Sequence, residues 1–127
     1  MTGQIQPISK PLATDDLDPL EVGRRVLSLE AEGLQALASG LDQSFIDAVR
    51  LIFKATGGVE ADRGKKGRVV VTGIGKSGHV ARKIAATLAS TGTPALFMHP
   101  AEAAHGDLGM ITPDDVVLAV SNSGRMA

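Results

Sequence analysis

Apolar residues change period once along this chain. Leu20, Val26, Leu27, Leu34, Leu37 and Leu41 recur at spacings near 3.6 residues, behind Asp18 as a cap and Pro19 as a first-turn proline, which predicts an amphipathic helix. Phe45, Val49, Ile52 and Phe53 predict a second helix, ending near Gly57-Gly58 ahead of the basic turn Arg63-Gly64-Lys65-Lys66-Gly67. From Val69 the pattern becomes that of strands. Val69-Val70-Val71 is an unbroken β-branched run, followed by a glycine-rich turn and by Ala81, Ile84, Ala85, Leu88 and Ala89 at helical spacing. Thr91-Gly92-Thr93-Pro94 stops that helix, Ala95-Leu96-Phe97-Met98 predicts a second strand, and Val116-Val117-Leu118-Ala119-Val120 a third after the turn Thr112-Pro113-Asp114-Asp115.

Strand, helix, strand in this order is the start of a βαβ unit. The fold class expected is α/β: a partial, doubly wound, Rossmann-like parallel sheet preceded by two helices. Strands so uniformly apolar suit a sheet covered on both faces. The expected organisation is a flexible leader over residues 1–18, N-terminal helices over 19–66, and an incomplete sheet domain over 67–127, because a complete doubly wound domain would continue into a helix and further strands.

Composition narrows the chemistry. The 127 residues include no Cys, Trp or Tyr, and aromatic residues make up 2%, so thiolate metal sites, disulfides and a Cys nucleophile are excluded and base stacking has little to work with. A formal net charge of -1 gives no general field for nucleic acid or an acidic membrane, so any anion must be bound locally. Neither an apolar signal segment nor a run of about 18 apolar residues occurs, and the default expectation is a cytoplasmic protein with no membrane partner.

Ligands of open parallel sheets bind beyond the carboxyl ends of the strands. Three segments fall there. In Gly73-Ile74-Gly75-Lys76-Ser77-Gly78 the glycines let backbone approach an anion, Ser77 adds a hydroxyl, Lys76 a full charge, and the next helix its amino terminus. The spacing also satisfies Gly-x-Gly-x-x-Gly, yet a dinucleotide site wants an acid about 20 residues on, and the second strand ends in Met98-His99-Pro100. A Walker loop fails because Val70 stands where its first glycine belongs. His99-Pro100-Ala101-Glu102-Ala103-Ala104-His105-Gly106-Asp107 gathers two imidazoles and two carboxylates suited to proton transfer or a metal. Ser121-Asn122-Ser123-Gly124 offers short polar groups at a third strand end. Together they favour phosphate on a small polar ligand.

Four blocks make the match specific: Gly73-Ile74-Gly75-Lys76-Ser77-Gly78-His79, Ala89-Ser90-Thr91-Gly92-Thr93-Pro94, His99 through Met110, and Ser121-Asn122-Ser123-Gly124. The chain resembles the D-arabinose 5-phosphate isomerases, enzymes with a sugar isomerase (SIS) domain, densely from Val69 to Gly124 and loosely before it. The resemblance implies reversible conversion of D-ribulose 5-phosphate to D-arabinose 5-phosphate for Kdo and lipopolysaccharide biosynthesis. It implies Lys76 as a catalytic residue, Gly75, Ser77, Gly92, Thr93, His105, Ser121 and Ser123 as substrate contacts, and His99 as a zinc position that turnover does not require. It further implies a phosphorylated pentose as ligand and a homo-oligomer, dimer or tetramer.

After Ser-Asn-Ser-Gly the family continues with an acidic residue and Ser-Ser-Glu, whereas this sequence reads Arg125-Met126-Ala127. Later catalytic acids, a histidine and paired CBS domains of the family are also missing. The expectation is therefore a truncated chain, inactive alone. A non-catalytic SIS module that senses a phosphosugar is the alternative, and a nucleotide-dependent oxidoreductase a remote third.

Overall fold

The computed structural model describes residues 18–58 and 67–124. The leader expected over 1–18 falls, apart from Asp18, outside the described residues, as do residues 63–66 of the basic turn and Arg125-Met126-Ala127. The chain divides into two compact units, Met1–Leu41 and Asp42–Ala127.

The first unit contributes helix α1, Pro19–Gly40. It starts where sequence places it, because the Asp18 carboxylate accepts from the Leu20 N–H at 3.0 Å and Pro19 needs no donor partner in the first turn. None of its side chains is buried; Leu27 and Leu34 are about two-thirds exposed. The second unit opens with α2, Gln43–Ala55, capped by Asp42, which accepts from Ser44 N–H at 2.9 Å.

Strands β1 (Val69–Thr72), β2 (Ala95–Phe97) and β3 (Val116–Ala119) form a parallel sheet in the order β2-β1-β3. Val69 stands beside Ala95 on one flank and Val116 on the other, and Val71 beside Phe97 and Leu118. Side chains alternate along a strand, so Val69, Val71, Ala95, Phe97, Val116 and Leu118 share one face. Helix α3, Lys76–Ser90, returns the chain from β1 to β2 and lays buried Ala81 and Ala85, flanked by Ile84 and Leu88, on that face. Ile52 of α2 packs against the same cluster. Small residues at 78, 81 and 85 recur on one side of α3 and allow this close approach. Each fully buried valine of β1 contributes about 1.5–3 kcal/mol through lost contact with water.

Among the described residues, α2 and α3 pack on one face of the sheet. On the opposite face Val70 is buried but Val117 is 51% exposed.

Beneath the sheet, at the amino ends of the strands, Gly67 N–H donates to the Ala55 carbonyl at 2.9 Å. A Cβ on Gly67 would overlap the Asp114 carbonyl, so a glycine is needed for the chain to enter β1 beside the turn before β3. Arg68 and Asp115 close the same end with an ion pair at 2.9 Å.

Candidate functional site

The parallel arrangement brings the turn after β1, the turn after β2 and the turn after β3 to the same, carboxyl end of the sheet. Backbone contacts tie the first and third together. Val120 N–H donates to the Thr72 carbonyl at 2.9 Å, and a Cβ on Gly73 would stand 3.0 Å from both the Val120 oxygen and the Ser77 carbonyl. Gly73 is buried between the two turns. Gly75 adopts φ 59° and ψ -128° at the N-cap of α3, a conformation costly to residues with a Cβ.

That glycine has a chemical consequence. No side chain caps α3, so the first N–H groups of a helix of 15 residues face outward with the positive end of its dipole. Lys76 is exposed at its first position and Ser77 half-buried beside it. Helix α3 carries Lys76, Arg82 and Lys83 and no carboxylate. The turn gathers positive charge with no side-chain carboxylate on α3 to offset it.

Gly78 lets α3 begin this close to the turn. A Cβ there would lie 2.7 Å from the Gly73 carbonyl oxygen, a backbone atom that cannot rotate away. Gly78→Ala is expected to lower stability by about 1–2 kcal/mol, overpacking outweighing the better helix propensity of alanine. The melting temperature should drop by several degrees; an unchanged or higher melting point would show that the turn relaxes without cost.

After β2 the sequence suggests a loop, and the structure contains more order. His99 caps α4, Pro100–Ala104, by accepting the Ala101 N–H at Nδ1, 3.1 Å away, and a 3-10 turn follows over Asp107–Met110. The signal was present: a proline at the first helical position with an acid two residues on. His105 is the exposed C-cap of α4. Glu102 and Asp107 are exposed as well. The Phe97 ring meets His99 edge-on, with centroids 6.4 Å apart at 70°, and carries the Arg82 guanidinium 4.0 Å from its centre. Neither Arg82 nor Phe97 stood out in the sequence, because Arg82 looks like one more solvated helix charge. After β3, the Ser121 hydroxyl accepts the Gly124 N–H at 3.0 Å, and Ser123 lies in the same turn.

Gly75, Lys76, Ser77, His99, His105, Ser121 and Ser123 thus sit on turns at one end of the sheet. Gly92 and Thr93 do not. Helix α3 runs 15 residues, about 22 Å, away from Lys76 before they are reached, and they precede Ala95, which pairs with Val69 at the amino end of β1. Gly92, at φ 96°, and Thr93, whose N–H bonds the Leu88 carbonyl at 2.9 Å, form the C-terminal stop of α3, and a role for them as substrate contacts rests on the resemblance alone. A depression of about 480 Å³ lined by Leu51, Lys54, Pro113 and Val117 also lies at that far end.

Zinc at His99 is not favoured by this donor set. Among the described residues no three His, Cys, Asp or Glu side chains gather as a metal site. The Nδ1 lone pair of His99 is also directed at the Ala101 N–H.

Comparison with known proteins gives a consistent picture. Residues 64–127 match the SIS domain family model. The chain is 51% identical over 114 residues to arabinose 5-phosphate isomerase KdsD of Pseudomonas aeruginosa, covering 90% of this chain and 32% of that protein. It is 53% identical over 105 residues to the Escherichia coli K12 protein of the same name, covering 83% and 29%. The chain therefore spans about a third of the length of these curated relatives. Among solved structures, an Escherichia coli CFT073 protein in complex with arabinose 5-phosphate superposes with a TM-score of 0.64 at 37% identity, over 87% of this chain and 55% of that one.

Proposed function

The chain belongs to the SIS-domain family, and from that premise we propose that it binds a phosphorylated pentose and takes part in the interconversion of D-ribulose 5-phosphate and D-arabinose 5-phosphate. The observation that carries this is the uncapped amino terminus of α3, with Lys76 at its first position, beside the turn after β3. The relatives' names and the sugar-phosphate complex of the structural neighbour support the choice of sugar.

Aldose–ketose isomerisation removes a proton beside a carbonyl and passes through an enediol, so it needs a proton acceptor and a donor or cation for the developing oxyanion. Lys76 is the cation in this proposal. The backbone N–H groups at Gly75 to Ser77 and the Ser121-to-Gly124 turn take the phosphate, and His105 is the proton-handling group on the turn after β2. No step requires a cofactor.

Cytoplasmic supply of arabinose 5-phosphate for Kdo and lipopolysaccharide is part of the same proposal. Among the described residues no helix is long and apolar enough to cross a membrane. Self-association as a dimer or tetramer is part of it too, supported by Leu27 and Leu34 of α1 and Phe45, Val49 and Phe53 of α2, all exposed. Turnover by these 127 residues alone is proposed to be weak or nil, because the activity in the relatives' names belongs to chains about three times as long.

The test is titration of the ¹⁵N-labelled chain with arabinose 5-phosphate, together with a turnover assay on ribulose 5-phosphate. Amide shifts at Gly75, Lys76, Ser77 and Ser121 are expected, with little turnover. Absence of shifts sinks the binding site. Robust turnover sinks the proposal that this chain is inactive alone. Binding without turnover that persists in a longer chain carrying the rest of the domain favours the non-catalytic, phosphosugar-sensing alternative.

A further inference from the structure

The connection from β2 to β3 leaves the carboxyl end of the sheet and has to return to its amino end, a descent of roughly 16 Å from the level of Gly73 to that of Arg68. Helix α4 and the 3-10 turn over Asp107–Met110 make up most of it. Burial does little to hold them: no residue from Pro100 to Met110 is buried, and Leu108 and Met110, the largest apolar side chains in the run, are exposed. The order in this segment is polar and sequential. Ala103 N–H donates to the His99 carbonyl at 3.1 Å, His105 N–H to the Glu102 carbonyl at 3.0 Å, Gly106 N–H to Ala103 at 3.3 Å, Gly109 N–H to Gly106 at 3.2 Å and Ile111 N–H to Leu108 at 3.1 Å. Gly106, at φ 126°, is bonded to the turn on either side of it, so a shift at the lower end is carried up to His105.

That lower end is pinned by a side chain at the foot of β1. Arg68 Nη2 donates to the Met110 carbonyl at 2.6 Å, and Asp115 holds the same guanidinium through Nε at 3.3 Å and Nη2 at 2.9 Å. Asp115 also accepts the Thr112 N–H at 2.8 Å, so backbone on both sides of Ile111 is fixed, by the arginine before it and by the arginine's partner after it. Arg68 itself cannot drift: its N–H donates to Asp115 at 2.7 Å, and its carbonyl accepts the Val116 N–H at 2.9 Å. Pairing with Asp115 asks only for a positive charge. The planar fork is what lets one side chain serve a carboxylate and a carbonyl together.

We infer that Arg68 is a positioning residue for the sugar site: its bond to the Met110 carbonyl seats the 3-10 turn and, through the hydrogen bonds that follow, sets the height of His105 along the sheet. The role of His105 towards the sugar rests on the phosphosugar reading above; the seating of the segment does not. Arg68 lies at the opposite end of β1 from Lys76 and acts through the segment rather than on the ligand.

Arg68→Lys separates the two duties, since one ammonium keeps a charge beside Asp115 but lacks the fork that reaches Met110 as well. In amide hydrogen exchange of the ¹⁵N-labelled chain, Gly109 and Ile111 are expected to exchange about fivefold to tenfold faster in Arg68→Lys, the loss of one hydrogen bond. Met98 and Val120, bonded to the Val71 and Thr72 carbonyls within the sheet, should change by less than about twofold. Unchanged exchange at Gly109 and Ile111 overturns the inference, and an equal rise at the sheet amides overturns it too, because Arg68 would then serve the fold as a whole. Arabinose 5-phosphate should bind Arg68→Lys about threefold to fivefold more weakly than wild type. In a His105→Ala background the same substitution should cost less than about 1.5-fold, since residues acting as one unit do not add. Equal losses in the two backgrounds, or unchanged affinity in the first, overturn the path through His105. If the wild-type chain binds no arabinose 5-phosphate, the phosphosugar reading fails, and the exchange rates alone decide whether Arg68 seats the segment.

Discussion

Asp115→Ala is expected to cost about 3–5 kcal/mol of folding stability. The Asp115 side chain is 1% exposed, yet it serves four donors: Arg68 N–H at 2.7 Å, Arg68 Nε at 3.3 Å, Arg68 Nη2 at 2.9 Å and Thr112 N–H at 2.8 Å. Arg68 Nη2 also donates to the Met110 carbonyl at 2.6 Å. The guanidinium, 36% exposed, can turn to water when the carboxylate is removed. The two backbone N–H groups cannot move without unpicking the start of β1 or the turn before β3, and each orphaned donor costs about 1–3 kcal/mol. A urea unfolding midpoint close to wild type would show that water replaces the carboxylate.

The same carboxylate makes a pH prediction with a definite sign. Hydrogen bonding from the Arg68 side chain, aided by the Thr112 and Arg68 backbone N–H groups and outweighing burial, holds the Asp115 carboxyl well below the usual carboxylate range. A group whose pKa is lowered by folding stabilises the fold above its unfolded pKa, about 3.9, and loses that contribution as pH falls toward its folded value. The stability gap between wild type and Asp115→Asn should therefore be constant above about pH 5 and shrink below it. Asp42, also lowered by its Ser44 hydrogen bonds, is present in both proteins and cancels in the difference. Parallel stability curves down to about pH 2.5 would exclude Asp115 as the acid-sensitive group.

This pair marks a limit of what the sequence discloses. Thr112-Pro113-Asp114-Asp115 announces a turn through its own chemistry, but which Asp turns inward depends on Arg68, 47 residues away, and no local period encodes that separation. Where the determinant is local, sequence and structure agree: Asp18 and Pro19 start α1, the Val69 run lies between two parallel strands, and Gly75 takes the positive φ that opens α3. The turns after all three strands were legible for the same reason, since the carboxyl ends of parallel strands share one side. For Gly92 and Thr93 only the resemblance implies a substrate contact, and their own local chemistry, a glycine at φ 96° and the residue after it, marks the end of α3. The chemistry of His99 is legible in the sequence but its cap on α4 is not, because imidazole is not among the preferred helix caps Ser, Thr, Asp and Asn.

Lys76→Ala is expected to weaken binding of arabinose 5-phosphate by about tenfold to a hundredfold, the contribution of a charge-assisted hydrogen bond of about 1.5–3 kcal/mol. With a net charge of -1, the chain attracts an anion only where positive groups converge, and α3 supplies them in order: the half-charge of its uncapped terminus, then the Lys76 ammonium. Arg82 is occupied over Phe97, and Lys83, seven residues on, lies nearly two turns down the helix. Lys83→Ala should therefore change affinity by less than about twofold, whatever it does to the general field. Lys76 is exposed, so its removal should leave the melting temperature within about a degree of wild type while the salt dependence of binding becomes shallower. Lys76→Arg should fall between wild type and alanine, because it keeps the charge but not the compact ammonium. Equal weakening by Lys83→Ala and Lys76→Ala would mean that a diffuse field, rather than the α3 terminus and its first side chain, holds the phosphate.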